Sequence, residues 1–422
     1  MHLTRRELLA ASMVVGFTDK ALALADKAST SREPSSAAQD EDYWSQIQQA
    51  FTLDRTWVNF NNGGVCPSPR AVNEALKRYL DYSNQGPSNL MWRQLEPEVE
   101  NVRRRLARTF GCDPEEMAIT RNASESLETC LYGIDLKAGD EVLTTDQDYP
   151  RMVTTIQQRE RREGVKLVQV KVPAAPKTKA EIVKAFESGI TDKTKLMLVS
   201  HVVFMTGMIN PVQDVVKLGR KHGIPVIVDG AHAFAQFPFT QPDLDCDYFG
   251  ASLHKWLMAP IGTGMLYVKK DKIAGLWSMM ASGDTQADNI RKYEEIGTHP
   301  AANHNAIAEA LTFNELIGFK RKAERLWYLR RRWTDALRNE SKVVFHTNLD
   351  PAFSCGLTTV EIQGIEPGDL ASWLMDKKGI FVTGIGHPSF KGIRVSPNVY
   401  TTLDEIDRFR EAMLEACTKG IS

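Results

Sequence analysis

The residues best suited to chemistry fall in the segment Asp247-Tyr-Phe-Gly-Ala-Ser-Leu-His-Lys-Trp256, with a Gly/Pro loop, Ala259-Pro-Ile-Gly-Thr-Gly264, behind it. Lys255 there stands just past a strand-like run and beside Trp256, a position where partial desolvation lowers an ammonium pKa. A lysine so lowered offers the neutral amine that forms a Schiff base with an aldehyde. Ser252 and His254 next to it are donors suited to a phosphate. A lone lysine in such a loop is ordinarily a solvated charge, so its neighbours decide the reading. About two dozen residues earlier, Pro225-Val-Ile-Val-Asp229-Gly-Ala-His232 places a carboxylate at the end of an apolar run. A buried aspartate needs a cationic or hydrogen-bonded partner. A pyridinium nitrogen meets that need, and the pairing keeps the ring an electron sink. His232 is placed to reach a ring substituent; the alternative is an aspartate capping the next helix beside a core histidine. In Ile119-Thr-Arg-Asn-Ala-Ser-Glu-Ser126 a strand ends at Thr120 and a helix opens near Ala123. The N–H groups of Ala123 and Ser124 and the Ser124 hydroxyl then point at an anion, although the same residues also make an ordinary helix cap.

These three strand ends need a scaffold. From about Trp57 onward, β-branched runs at 117–120, 141–145, 165–170, 195–200, 225–229, 248–252 and 264–268 read as strands. Amphipathic stretches such as 150–163 and 212–222 lie between several of them. This βαβ rhythm predicts an α/β fold with a largely parallel sheet covered on both faces, whose ligands bind beyond the carboxyl ends of the strands. After about Gly297 the pattern changes to helices over 306–317 and 320–337, thin strands near 343–346 and 356–362, a helix over 368–378, a strand over 393–396 and a final helix over 402–418. That reads as a smaller α+β domain.

The chain has 422 residues, with 52 Lys or Arg against 53 Asp or Glu, a formal charge of -1 that provides no attraction for nucleic acid or an anionic membrane. With 42% hydrophobic and 25% charged residues it is an ordinary globular composition, which excludes wholesale disorder. Cysteines at 66, 112, 130, 246, 355 and 417 form no CxxC pair and no zinc-spaced cluster, so no metal site is expected and the thiols read as small core residues. Thr4-Arg5-Arg6-Glu7-Leu8-Leu9 sets two arginines before an apolar run over 8–17, with small-x-small sites at 21–23 and 23–25. The run is too short to span a membrane and reads as a cleavable export signal over 1–25. The arginine pair is of the twin-arginine type, which exports folded, often cofactor-loaded proteins, so a periplasmic or exported location is expected, with no membrane attachment after cleavage. A polar, Ser-rich stretch over 28–42 reads as part of a linker and N-terminal arm over 26–55.

Taken together, Asp229-x-x-His232 and Ser252-x-His254-Lys255 make the sequence one that resembles the class V aminotransferase family of pyridoxal-phosphate enzymes, most closely its isopenicillin-N-epimerase-like members, from about Phe60 to Glu415. The resemblance implies a PLP-dependent transferase fold of the aspartate-aminotransferase type (type I). Its large domain, over 56–296, would hold a mainly parallel seven-stranded sheet, with a smaller α+β C-terminal domain over 297–422. It implies pyridoxal 5'-phosphate as cofactor, Lys255 as the lysine carrying it, Asp229 as partner of the ring nitrogen and His232 as contact of the ring hydroxyl. Ala123, Ser124, Ser252 and His254 match the phosphate cradle, and Tyr149, in Asp146-Gln-Asp-Tyr-Pro150, falls near the residue stacked on the ring. Glu295-Ile-Gly297-Thr298 is similar to the segment that contributes a phosphate contact across a dimer interface, so Thr298 is expected to serve the neighbouring site of a homodimer. Arg394, in Gly392-Ile-Arg-Val-Ser396, matches the arginine that binds the substrate carboxylate. The loop Asn59-Phe-Asn-Asn62-Gly-Gly64 matches one lining the substrate entrance, where Asn62 is the expected contact.

Two departures bear on the reaction. Cysteine desulfurases of the class use a thiolate on a loop ahead of the arginine strand, and here that region reads Val382-Thr-Gly-Ile-Gly-His387-Pro-Ser-Phe390, without a cysteine; Cys355 lies far upstream. Phe204 stands where relatives carry an asparagine near the cofactor, and His387 reads either as a proton donor over the ring or as a solvated loop residue. The expected activity is therefore chemistry at the α-carbon of an amino acid or amino-acid-containing compound, with epimerisation, transamination and C–S or other β-elimination sharing one set of residues. An exported solute-binding protein is the rival from another class, and it has no need of a lysine, an aspartate and a phosphate cradle at three strand ends.

Overall fold

In the computed structural model, residues 33–421 are described; the arginine pair and the apolar run over 8–17 lie outside them. Strands apolar on both faces can only be satisfied between two layers. Four of this kind, Met117–Thr120, Val226–Asp229, Tyr248–Ser252 and Gly264–Val268, are buried along their whole length. They form a seven-stranded sheet with Thr194–Ser200, Glu141–Thr145 and Lys166–Val170, in the order 117–120, 264–268, 248–252, 226–229, 194–200, 141–145, 166–170. Only Gly264–Val268 runs against its neighbours; the other pairs are parallel. The carboxyl ends of six strands therefore collect at one edge, where Thr120, Thr145, Ser200, Asp229 and Ser252 terminate their runs. Helices Ala123–Gly133, Pro150–Glu163, Lys179–Gly189 and Val212–Lys221 connect the strands. Pro150 occupies the first helical turn, where its missing N–H has no bond to lose, and Gly164 closes that helix in the left-handed region, at φ +76°.

A second sheet holds four antiparallel strands in the order Thr383–His387, Phe390–Val395, Thr358–Ile362, Val343–Phe345. The helices Phe319–Leu337, Pro367–Lys378 and Leu403–Lys419 enclose with it a core that includes Trp333, Leu374, Ile393 and Phe409. The chain boundaries cross between the two units. Val58–Asn59, which the sequence assigns to the large domain, pairs in parallel with Ile380–Phe381, and Phe60 is buried in the second core with its ring 5.3 Å from that of Phe409. In the opposite sense, Ala301–Asn305 and Ile307–Ile317 pack on Arg70–Asn84 and Glu96–Phe110, and Ile307, Ala310 and Leu311 join the core of the seven-stranded sheet.

The stretch read as a linker over 28–42 is packed and helical from residue 34. Helices Pro34–Ala37 and Glu41–Gln49 lie against Phe319–Leu337, because one tryptophan outweighs the polar composition around it. Trp44 is fully buried, and its Nε1 donates to the Ala37 carbonyl at 2.8 Å. Buried Arg325 lies over the Trp44 ring at 5.1 Å, donates to the Ala38 carbonyl at 2.9 Å and pairs with Glu41 through both guanidinium amines. Replacing Trp44 by alanine should lower stability by about 3–5 kcal/mol, as expected for removal of a buried tryptophan. Urea denaturation of the purified variant against the parent measures this, and a loss below about 1 kcal/mol would show the arm to be dispensable packing.

Candidate active site

Past Ser252 the chain turns back on itself before entering Gly264–Val268. Leu253 donates its N–H to the Thr263 carbonyl at 2.9 Å, and Met258 donates to the Lys255 carbonyl at 3.0 Å. Met258 holds φ at +60°, a left-handed conformation that a side-chain-bearing residue adopts only under constraint. This turn directs the half-buried Lys255 into a cavity of about 610 Å³ at the carboxyl edge of the sheet. Burial pushes its amine down to about 8, with the carboxylate of Asp229 opposing and Arg394 adding to the fall. Asp229, at the last position of its strand, is buried and pushed up to about 6 by desolvation, against the pull of a hydrogen bond and of the Lys255 charge; its Oδ1 accepts the Ala231 N–H at 2.9 Å. His232 Nε2 lies 3.0 Å from Lys255 Nζ. Burial, then the charges of Lys255 and Arg394, hold His232 well below the usual imidazole range, so its ring is neutral.

The opposite side of the cavity is the start of Ala123–Gly133. Asn122 caps this helix by accepting the Glu125 N–H at 2.9 Å, and the Ala123 N–H donates to Ser252 Oγ at 3.0 Å. Ser124 and His254 line the same wall. The helix end reaches the sheet because position 264 lacks a side chain: a Cβ there would meet the Asn122 backbone at 2.6 Å. Among the described residues Nδ1 of His254 and Nδ1 of His232 are buried without a hydrogen-bond partner, which leaves both rings able to meet a polar group from outside the chain. Behind Asp229, buried Asp148 accepts the N–H and hydroxyl of Thr145 at 2.9 and 2.8 Å and those of Ser200 at 3.1 and 2.5 Å.

Arg394 closes the cavity from the second sheet. Its Nη1 donates to the Phe204 carbonyl at 2.9 Å and its Nη2 to Asn61 Oδ1 at 2.7 Å. Among the described residues no carboxylate pairs with it, and burial draws it down to about 10. A buried guanidinium without a counter-ion, facing a cavity, is a receptor for an anion. Asn62 does not take the place at the substrate entrance that its sequence suggested. It is buried, donates Nδ2 to the Ser396 and Asn59 carbonyls at 2.8 and 3.1 Å, and accepts the Tyr400 hydroxyl at 2.6 Å, so its amide is committed to tying the loop to the second sheet. Asn61 and the two following glycines are the ones near Arg394 and the cavity.

Tyr149 is exposed at the cavity wall, with its ring 5.3 Å from Phe204 in an edge-on contact. His387 turns away from the cavity: its Nε2 lies 3.2 Å from the Asp146 carbonyl and its ring 4.8 Å from that of Phe390. None of the six cysteines lines the cavity; burial pushes the thiols of Cys66 and Cys355 up to about 12. Thr298 is not gathered with the others. It is exposed in a separate depression of about 380 Å³, together with Arg291, Glu294 and Glu295. The structure also adds wall residues that sequence reasoning passed over: Arg121, Arg151 and Met279. Arg121 stood in the quoted Thr-Arg-Asn motif; Arg151 and Met279 carry no local signal, since only the fold brings them to the edge.

Comparison with known proteins gives one family match, to the family described as Aminotransferase class-V, over residues 58–409. Isopenicillin N epimerase of Amycolatopsis lactamdurans is 28% identical over 391 residues, covering 88% of this chain and 98% of that protein. Among solved structures, the apo cysteine desulfurase of Thermococcus onnurineus NA1 superposes with a TM-score of 0.78 at 24% identity, covering 89% of this chain and 98% of that one. A cystine C-S lyase solved with cysteine persulfide gives a TM-score of 0.77 at 23% identity, covering 85% and 97%.

The lowered amine of Lys255 has a thermodynamic signature in the cofactor-free chain. Below pH 8 the amine is charged in the folded and unfolded states alike, and the folded state carries the whole penalty of a buried ammonium. Between about pH 8 and the unfolded value near 10.5 the folded state is already neutral, the unfolded state binds more protons, and stability rises with pH. Lys255→Met removes the penalty, so its melting temperature should exceed that of the parent at pH 7 and the gap should close as pH is raised through that window. A gap that stays constant from pH 7 to 10 would show that Lys255 titrates normally.

Proposed function

The chain belongs to the class V aminotransferase family, and from that premise we propose that it is a pyridoxal 5'-phosphate-dependent enzyme acting at the α-carbon of an amino acid or amino-acid-containing compound. The observation that carries the reading is the meeting of Lys255, Asp229 and an unpaired Arg394 in one cavity, each shifted by burial towards its neutral form. The residues present fit the cofactor. The unpartnered nitrogens of His232 and His254 are able to meet polar groups, a capped helix start faces the cavity, and Asp229 offers a buried carboxylate to a ring nitrogen.

When bound, pyridoxal phosphate supplies an electron-withdrawing ring that stabilises negative charge at the substrate α-carbon. Lys255 would hold it through Nζ. With a substrate amine in the cavity, Nζ of Lys255 would take the α-proton, a task suited to an amine lowered to about 8. Asp229 would keep the ring nitrogen protonated. Ser124, through its hydroxyl and N–H, and Ser252 would hold the phosphate; the Ala123 N–H that the sequence offered for it is given to Ser252 Oγ, and that of Glu125 to Asn122. Arg394 takes the substrate carboxylate, fixing which bond at the α-carbon lies where Lys255 can reach it. Return of the proton to the opposite face inverts the centre, and likeness to isopenicillin N epimerase supports that outcome over transamination or β-elimination. A relay of sulfur through a cysteine thiolate is not invoked, since no cysteine lines the cavity and burial pushes the thiol of Cys66 up to about 12.

Assembly and location extend the proposal. Thr298 serves the phosphate site of a second copy in a homodimer, a reading supported by its exposure in a depression separate from Lys255. Export through the twin-arginine pathway to the periplasm rests on the arginine pair at 5–6 and the apolar run after it. No other macromolecular partner is invoked.

Three variants test the assignment. Borohydride reduction of the parent with pyridoxal phosphate should fix a mass increment on the peptide containing residue 255, and Lys255→Ala should show none. Asp229→Asn should retain the cofactor but lower turnover by roughly two orders of magnitude, the scale lost with a preorganised charged group. Arg394→Ala should raise KM for carboxylate substrates about 10-fold or more while leaving cofactor uptake intact. Chiral analysis and mass spectrometry of the products from an amino-acid and peptide panel decide between inversion and elimination, and an increment on Lys255→Ala equal to that of the parent would remove the premise of the site.

A further inference from the structure

A second lysine lies behind the first. Lys322, on the helix Phe319–Leu337, has no exposed surface. Its Nζ donates to the carbonyl of Trp256 and, at 2.8 Å, to Asn314 Oδ1. Asn314, on the helix Ile307–Ile317, is equally enclosed and donates Nδ2 at 2.8 Å to the carbonyl of Leu257. Two successive carbonyls directly after Lys255 are thus held by a clasp reaching in from two helices. A third tether follows, from Ser68 Oγ to the carbonyl of Ala259 at 3.1 Å. Between these tethers stands Met258, at φ +60°. A conformation of that kind persists only when its surroundings over-determine it.

Lys322 is an unfavourable way to fill space. Among the described residues no carboxylate pairs with it, and burial pushes its amine down to about 7. A methionine of similar length would avoid burying an ionisable group. Either protonation state of the amine keeps the two N–H groups that its two acceptors use, so the clasp holds across neutral pH. Departures from sound packing of this sort gather where function needs them.

We propose that Lys322 is a positioning residue for the reaction: with Asn314 it anchors the carbonyls of Trp256 and Leu257 and so fixes where the Lys255 amine stands in the cavity. The inference rests on the reading of Lys255 as the cofactor-bearing amine.

The test uses the holoenzyme and three variants, Lys322→Met, Lys322→Gln and Asn314→Asp, followed by the pH titration of the visible absorption band of bound pyridoxal phosphate and by steady-state kinetics. Lys322→Met should move the midpoint of the titration by about half a pH unit or more. It should also lower kcat about tenfold or more, as a displaced catalytic group does, with KM changed less than about twofold. Lys322→Gln, which retains an N–H donor for the Trp256 carbonyl, should recover most of both. Should Lys322→Met fail to fold, Asn314→Asp provides the same reading, because the new carboxylate pairs with Lys322 while the donor to Leu257 is lost; the midpoint should again move. A Lys322→Met enzyme that titrates and turns over like the parent overturns the inference, as does a glutamine variant no better than the methionine one. If the parent itself takes up no pyridoxal phosphate, the functional reading fails instead.

Discussion

The structure turns on keeping an amine out of water. The amine of Lys255 is lowered towards neutrality chiefly because solvation is withheld from it, with the charge of Arg394 adding to the fall. That requirement explains the strained turn around Met258, the fully buried Trp256 beside it and the placement of the whole segment at the inner edge of a sheet whose central strands are apolar on both faces. Asp229 lives under the same constraint with the opposite sign of charge. The two groups temper each other, each charge drawing its partner back towards the ionised form.

The sheet converts this local condition into a site. Parallel strands bring their carboxyl ends to one edge, so residues from 120 to 252 meet although they are far apart in the chain. The antiparallel strand Gly264–Val268 brings the chain back from the Lys255 turn and lies against the helix cap at Asn122. The remaining wall of the cavity comes from elsewhere: Arg394 belongs to the second sheet, and its orientation depends on Asn61 and the Phe204 carbonyl.

What could be read from the residues follows a physical divide. Strands 117–120, 248–252 and 264–268 were legible to the residue because a run buried along its whole length leaves a mainly apolar signature. That Lys255, Asp229, His232, Ser124 and Ser252 would come together at one cavity was legible because they sit at strand and helix ends. Asn62 was misread for its neighbour, since an Asn-Asn-Gly-Gly turn does not say which amide faces inward; that is settled by Tyr400 and Ser396, more than 300 residues away. The arm around Trp44 was hidden by its polar composition, and short strands such as Val58–Asn59 and Ile380–Phe381 have too few residues to show a period. Lys322 and Asp148 gave no sign, since a buried polar residue looks like a surface one until its partners are seen.

The parallel pairing of Val58–Asn59 with Ile380–Phe381 has a consequence for how the molecule is made. A ribosome releases the first of these segments some three hundred residues before the second, so the opening stretch of polypeptide must wait without its partner through nearly all of translation. The contact between Asn61 and Arg394, 333 positions apart, closes over the same interval. The Arg394 wall of the cavity is therefore among the last features to form in a nascent chain, and any message cut short upstream of codon 380 yields a product in which Lys255 can be in place while the side facing it from the second sheet is missing.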